Sequence, residues 1–442
     1  MTHFRKGDMF VCSEGKAEIL DLLGEGGQGE VYLTELGGRR LAFKYYKEIP
    51  SDDFKYNLKN NILRGAPSKA FLWPLQYVEF EDGGCGYFMK LREKNYVSFV
   101  SYLTGHNAFA SAKTMLKWCI ELVSSFKTLH ELGYSYQDLN DGSFFLDTAT
   151  GDLLICDNDN VAADKRSLGI LGKMRYMAPE IVRGDINKTT GEPQMPDTHS
   201  DRFSLAIILF LALCLGNPFE GERLKKYTLV DEKAEYELFG EHPVYIYDEV
   251  DKSNRPIRGY HTAVLRRYPL LPTYIKDAFH RTFHDGLSDR ENGRTTELEW
   301  LKVLCLYRDE LISCPSCGAQ YPYGFREKKP ATHCPYCKAK GKRFVYLRLN
   351  RTRIALEPGT LLYRPHVDKY SADYNLPIAK VVTSKKNPAV WGIKVALGND
   401  IPVKDAKGQE KTIDKDSVIP ILSHLKIKFA EHCIGELVPS DE

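Results

Sequence analysis

Two groups of residues have the types and spacing to do chemistry. The first is the turn Gly24-Glu25-Gly26-Gly27-Gln28-Gly29-Glu30-Val31, with Lys44 one strand further on in Leu41-Ala42-Phe43-Lys44. Glycines at positions 24, 26, 27 and 29 let a hairpin's backbone close over phosphate oxygens, because no side chain blocks the approach and the amides face the ligand. Val31 then packs on an adenine and Lys44 reaches the phosphates. Taken alone the pattern also suits a flexible hairpin. A dinucleotide-binding turn would lead into a helix, whereas this one leads into a strand and then the Ala-x-Lys of Ala42 and Lys44. The second group is Cys314-Pro-Ser-Cys317 and Cys334-Pro-Tyr-Cys337, separated by residues 318–333. Two such knuckles present four thiolates tetrahedrally, and a closed all-sulfur shell argues for a structural Zn²⁺. Iron in a rubredoxin-like site is the alternative metal. His333 reads as a bystander, and a redox Cys-x-x-Cys lacks the βαβ context it needs.

The elements that must position these residues follow from periodicity. Residues 18 to 46 read as strands around the glycine turn, Lys113 to about Glu131 as a helix, and the apolar run Leu205 to Leu215 as a buried helix, too short to cross a bilayer. A chain of 442 residues exceeds one ordinary core, and three units are expected. Lys and Arg number 61 against 59 Asp and Glu, so composition gives no footprint for nucleic acid or membrane. Eleven cysteines, seven of them outside the two knuckles, indicate metal usage rather than a disulfide framework. The first residues carry no apolar signal core, which predicts a cytoplasmic address.

The order of motifs along the first two thirds of the chain resembles the protein kinases. Gly86 to Arg92 resembles the strand entering the hinge, with Met89 bordering the adenine pocket and the backbone of Lys90, Leu91 and Arg92 pairing with the base. Tyr136-Gln137-Asp138-Leu139-Asn140 to Ser143 resembles the catalytic loop H-R-D-L-x-x-x-N. Asp157, after Leu153-Leu154-Ile155-Cys156, stands at the Asp of D-F-G. Tyr176-Met177-Ala178-Pro179-Glu180, then Ser200-Asp201 and Gly216-Asn217-Pro218-Phe219, follow in family order. The resemblance implies ATP with Mg²⁺ or Mn²⁺, Lys44 on the phosphates, Asp138 receiving the acceptor's proton, Asp157 holding Mg²⁺ and Ser143 at the second-metal position; Asp159, two residues beyond Asp157, is a rival to it or a second metal ligand. It also implies a Glu180–Arg294 ion pair and Asp201 capping the catalytic loop.

Four departures touch the charges around the phosphates. The helix expected over Asp52 to Leu63 holds no glutamate, leaving Lys59 or Asn57 where the family's lysine-pairing carboxylate belongs; Asp52, Asp53 or Glu48 are candidate substitutes. Ser143 replaces a metal-binding asparagine. Asn140 replaces a phosphate-touching lysine, for which Lys173 or Arg175 are candidate replacements. Gln137 replaces the arginine that receives an activation-loop phosphate, and Asp157 to Glu180 offers only Ser167 as a Ser/Thr phosphoacceptor, so control by phosphorylation there is not expected.

The expected architecture is α+β: a bilobal protein-kinase-like fold over 1–312 (lobes about 1–92 and 93–312), a zinc ribbon over 313–341, and a small β-sandwich over 342–442. Runs such as Arg343 to Leu347, Val390 to Val395 and Leu425 to Phe429 supply the strands, and their layout loosely resembles forkhead-associated domains. The whole order resembles a bacterial group of Ser/Thr protein kinases associated with a PP2C-type phosphatase and a von Willebrand factor A protein in systems linked to tellurite resistance. That resemblance implies a protein Ser/Thr substrate, with those two proteins as partners. The rival reading is a scaffold whose kinase fold binds ATP or partners without transfer.

Overall fold

The computed structural model describes residues 3–166, 168–169, 172–350, 352–396, 400–414 and 417–441. Ser167 lies outside the described residues. The chain divides into two compact units, one made of Met1–Ala108, Ser125–Ile257 and Arg281–Arg294, the other of Phe109–Ser124, Arg258–His280 and Thr295–Glu442.

In the first unit, strands β1 (Met9–Cys12), β2 (Gly15–Glu25), β3 (Gly29–Leu36), β4 (Arg39–Tyr46), β5 (Pro74–Glu79) and β6 (Cys85–Lys90) form an antiparallel sheet in the order β1-β2-β3-β4-β6-β5. Strand alternation gives its two faces different work. Val31 pairs with Lys44, Lys44 with Tyr87, and Ala42 with Met89. Val31, Ala42, Lys44, Tyr46, Tyr87 and Met89 therefore share one face. The residues between them, including Tyr32, Phe43, Tyr45 and Phe88, fill an aromatic core on the other with Phe10.

Helix α1 (Asp52–Arg64) begins where the Ser51 hydroxyl accepts from the Phe54 amide, and its chain leaves through Gly65 at φ +79°. Phe54 and Leu58 pack against Tyr46, Cys85 and Tyr87. Further along, β7 (Tyr96–Ser98), β9 (Phe144–Asp147) and β10 (Leu153–Ile155) form a small sheet, and β8 (Tyr134–Ser135) pairs with β11 (Ala162–Ala163). The loops leaving β8 and β10 carry Asp138 and Asp157. Under them runs the buried helix Thr198–Cys214, longer than the apolar run alone because Asp197 and Ser200 close a capping box at its start.

Two buried charge clusters fasten this unit. Asp201 accepts from the Tyr136 amide at 2.7 Å and from His130 Nε2 at 3.0 Å, holding the segment that carries Asp138 to the helix. Glu180 takes both arms of Arg294, at 2.8 and 2.7 Å, and Arg290 Nε at 3.1 Å. Burial works against the Glu180 charge, but the two guanidiniums outweigh it and bring its pKa to about 2.

In the second unit the helix Glu297–Asp309 leads directly into β12 (Leu311–Ser313), paired with β13 (Gln320–Pro322). The expected C-terminal runs appear as β14 (Val345–Leu349), β18 (Trp391–Val395) and β22 (Lys426–Ala430). A six-stranded sheet, β15-β14-β23-β22-β19-β20, and a four-stranded one, β16-β17-β18-β21, enclose one apolar cluster that includes Leu347, Ile354, Leu362, Val381, Ile393, Ile427 and Leu437. Here β15 is Thr352–Leu356, β16 Leu361–Tyr363, β17 Pro377–Thr383, β19 Ile401–Lys404, β20 Glu410–Ile413, β21 Val418–Pro420 and β23 Cys433–Pro439. Cys314 and Cys334 join Tyr321, Phe344, Tyr346 and Val438 in a second cluster, so the four-cysteine segment shares apolar packing with β14 and β23.

Candidate functional site

A cleft of about 640 Å³ opens beneath the glycine turn. Gly24, Gly26, Gly27, Gly29, Val31, Ala42, Lys44, Met89, Lys90, Leu91, Asp138 and Asp157 all line it, together with Leu23, Gln28, Leu72, Arg92, Asn160 and Lys173. Ser143 and Asp159 do not. Ser143 is fully buried, its hydroxyl 3.5 Å from the Asp138 carbonyl oxygen.

The glycines divide by what surrounds them. A Cβ on Gly29 would lie 2.3 Å from the Tyr45 carbonyl oxygen, so β3 and β4 require glycine there. Around Gly24 and Gly27 a Cβ would meet nothing within 4 Å, and at Gly26 only the Gly29 carbonyl at 3.9 Å. No protein contact forbids side chains at these three. Their smallness leaves backbone open to the cleft, which suits the close approach of a phosphate chain.

The missing carboxylate partner of Lys44 is Asp159. Lys44 Nζ donates to Asp159 Oδ2 at 2.8 Å and stands 3.7 Å from Asp157 Oδ1. The Tyr46 hydroxyl donates to the same Asp159 oxygen at 2.7 Å and the Tyr87 hydroxyl to the other at 3.1 Å. Register places both tyrosines on the Lys44 face. Asp159 is 0% exposed; burial pushes its pKa up, but the Lys44 charge and the hydrogen bonds of Lys44 and Tyr46 hold it below the usual carboxylate range. None of Asp52, Asp53 or Glu48 serves. Asp53 pairs instead with Arg166 at 3.2 Å, and Lys59 lies 3.5 Å from Glu79 and over the Tyr77 ring.

Asp157 takes the opposite character two residues away. It sits at φ +55°, a strained left-handed backbone, and 45% of its side chain stays open to the cleft. Burial of its surroundings and the nearby Asp159 charge raise its pKa, against the pull of Lys44. Between the two, Asn158 is fully buried and its amide donates to the Leu72 and Ile155 carbonyls, each at 2.9 Å.

Asp138 is raised in pKa first by burial and then by the Asp157 charge, against the Asn140 hydrogen bond and Lys173. Asn140 Nδ2 donates to Asp138 Oδ1 at 3.0 Å, while its own oxygen accepts from Lys173 Nζ at 3.2 Å. Of the two cations considered for the vacated lysine position, Lys173 lines the cleft and Arg175 pairs with Glu220 at 2.7 Å. Gln137, at φ +64°, donates to the Arg166 carbonyl and accepts from the Leu168 amide at 3.1 Å. It thus holds the following segment through backbone contacts where an arginine would need a phosphate.

Sequence reasoning missed Asn160. It lines the cleft beside Asp157, is 1% exposed, and its Oδ1 has no hydrogen-bond partner among the described residues. A buried amide oxygen without a donor is costly, and a bound cation would satisfy it. Asparagine in an Asp-rich turn carries no signal that would have distinguished it.

In the second unit the four cysteine sulfurs lie within 4.8 Å of one another. Cys314 Sγ is 3.5 Å from Cys337 Sγ, and Cys317 Sγ is 3.8 Å from Cys334 Sγ. Tetrahedral Zn²⁺ with bonds of about 2.3 Å spaces its sulfurs about 3.8 Å apart, so the quartet fits that ion. The backbone amides of Cys317 and Ser316 also lower the Cys314 pKa to about 6, favouring its thiolate.

Residues 17–255, more than half the chain, match the family model described as the protein kinase domain. The chain belongs to the protein kinase family. Its kinase domain implies the use of ATP and Mg²⁺. Ribosomal protein S6 kinase alpha-6 of Danio rerio is 26% identical over 242 residues, 50% of this chain and 30% of that protein. Serine/threonine-protein kinase mos of Patiria pectinifera is 24% identical over 217 residues, covering 46% and 58% of the two chains. Protein kinase YegI of Escherichia coli (strain K12) is 26% identical over 346 residues, 73% of this chain and 49% of that one. The chain thus spans about 30% to 58% of the length of these relatives. No helix among its described residues is long and apolar enough to cross a membrane.

Proposed function

We propose that this kinase transfers the γ-phosphoryl group of ATP to a Ser or Thr hydroxyl of a protein. The observation that carries the reading is the convergence of Lys44, Asp138 and Asp157 on one cleft roofed by Gly24 to Gly29. Phosphoryl transfer asks a protein mainly for positioning and charge compensation. Lys44 supplies a fixed cation for the phosphates. Asp138, oriented by Asn140 and raised in pKa, is suited to accept the acceptor's proton. Lys173, held by Asn140 and by Asp141 at 3.2 Å, supplies a second cation. Asp157 and the Asn160 amide oxygen are the oxygen donors we assign to Mg²⁺, in place of Ser143 and Asp159. Bound there, the ion neutralises charge developing on the phosphates.

The four cysteines are assigned to a structural Zn²⁺ in a ribbon, and the two sheets beyond it to a β-sandwich that docks protein partners. A von Willebrand factor A protein as substrate and a PP2C-type phosphatase that reverses the reaction are the partners proposed from the sequence.

The test is transfer of labelled phosphate from ATP, with Mg²⁺ or Mn²⁺, into the chain or co-purified proteins. Transfer abolished by Asp138→Ala supports the enzyme. ATP binding without transfer under both metals and with both candidate partners refutes it in favour of a scaffold.

A further inference from the structure

A lysine amine ends four rotatable carbons, so a phosphate-binding lysine in a dry cleft needs a carboxylate to fix it. In protein kinases generally that carboxylate comes from the helix after the lysine strand, and movement of the helix makes or breaks the ion pair. Here α1 carries carboxylates only at its first turn, Asp52 and Asp53. Its buried polar side chains are Asn57 and Asn61, one turn apart, and both donate to a single carbonyl, that of Val161, at 2.7 and 2.8 Å. Val161 follows the short turn Asn158–Asn160 that carries Asp159.

We infer that Asp159 is the positioning residue for Lys44, and that α1 serves as a neutral strut rather than as the switch for that ion pair. The inference deepens the proposed phosphotransfer site and rests on the cleft being a nucleotide site. Three observations support it independently of the family pattern. Asp159 is completely buried with both oxygens engaged, and all three of its side-chain donors, Lys44, Tyr46 and Tyr87, come from one sheet face. Its neighbour Asn158 is pinned by two backbone carbonyls, so the turn cannot rotate out without losing both bonds. Asp157, the proposed metal ligand, lies two residues away on the same turn. The lysine's partner and the metal's ligand therefore belong to one short element that sheet β4-β6 grips directly. A regulator that displaced α1 would break neutral hydrogen bonds to Val161 while leaving Lys44 its carboxylate.

The test uses the full chain and an adenosine carrying a 5′ sulfonyl fluoride. Only a neutral amine attacks the sulfur; fluoride leaves, a proton goes to solvent, and a sulfonamide remains on lysine. Labelling at Lys44 is read by peptide mass spectrometry at pH 7.5, alongside kcat and KM for ATP. Asp159→Asn keeps the shape but removes the charge, so burial pushes the amine towards neutrality. The expected result is labelling at least about fivefold faster and kcat/KM about a hundredfold lower, while Asp159→Glu recovers slow labelling. Lys59→Ala on α1 leaves both within about threefold. If Asp159→Asn does not fold, Tyr46→Phe gives the comparison. It removes the donor competing for Asp159 Oδ2, so Lys44 is held more firmly and labels more slowly; an unchanged or faster rate overturns the inference. ATP-protected labelling that Asp159→Asn leaves unaltered also overturns it, with the nucleotide site intact. Parent labelling that ATP does not protect refutes the nucleotide site itself.

Discussion

The Glu180 cluster allows a stability prediction with its magnitude worked through. Glu180→Gln keeps the side chain's size and removes the charge that Arg294 and Arg290 share. The pKa falls from 4.5 to about 2 on folding, a difference of roughly 2.5 at about 1.4 kcal/mol per pH unit, or about 3.5 kcal/mol of stability. Because the folded pKa is the lower one, this stability is fully present above about pH 4.5 and is lost as pH falls toward 2. At pH 7 the variant should lose about 3.5 kcal/mol, within the range for breaking a buried ion pair. The assay is urea unfolding from pH 7 to pH 2, with amide exchange in residues 198–214 identifying the transition of the unit that holds Glu180. The parent should lose stability steeply below pH 4.5 and the variant less so. A variant as stable as the parent at pH 7, with the same slope in acid, would refute the reasoning.

Three further outcomes are expected. Gly29→Ala should destabilise the first sheet, because its Cβ would strike the Tyr45 carbonyl, whereas Gly27→Val should leave the melting temperature nearly unchanged and raise KM for ATP about tenfold or more; equal melting temperatures would count against that division of the glycines. Metal analysis should find one zinc per chain, lost with Cys334→Ser, and chelation should expose residues 313–341 to amide exchange, since such coordination is worth on the order of 10 kcal/mol in small zinc modules. Ser167→Ala should retain activity within a few-fold in a purified assay, because Gln137 already holds the neighbouring segment through Arg166 and Leu168.

The sequence by itself determined the kinase domain, because its motifs are local. Glycine spacing specifies a turn open to the cleft, and period-two alternation places Val31, Ala42 and Lys44 on one face whatever lies opposite. The Ala178-Pro179-Glu180 segment and Arg294 were legible as partners through their place in the family order. Tertiary structure alone decided which charges meet. Asp159 reaches Lys44 across 115 positions, and no periodicity links a residue on a loop to a strand that far away. Spacing pointed to α1 for the missing carboxylate, but its facing positions are neutral asparagines bound to Val161. Ser143 stands where the family pattern puts a metal-binding asparagine yet is fully buried and does not line the cleft, whereas Asn160, which looks like any loop asparagine, lines it and has an oxygen without a partner among the described residues. A local pattern fixes the direction a side chain leaves its own element. The charge it meets is set by packing between elements, where Coulomb energy depends on distance in space and on exclusion of water.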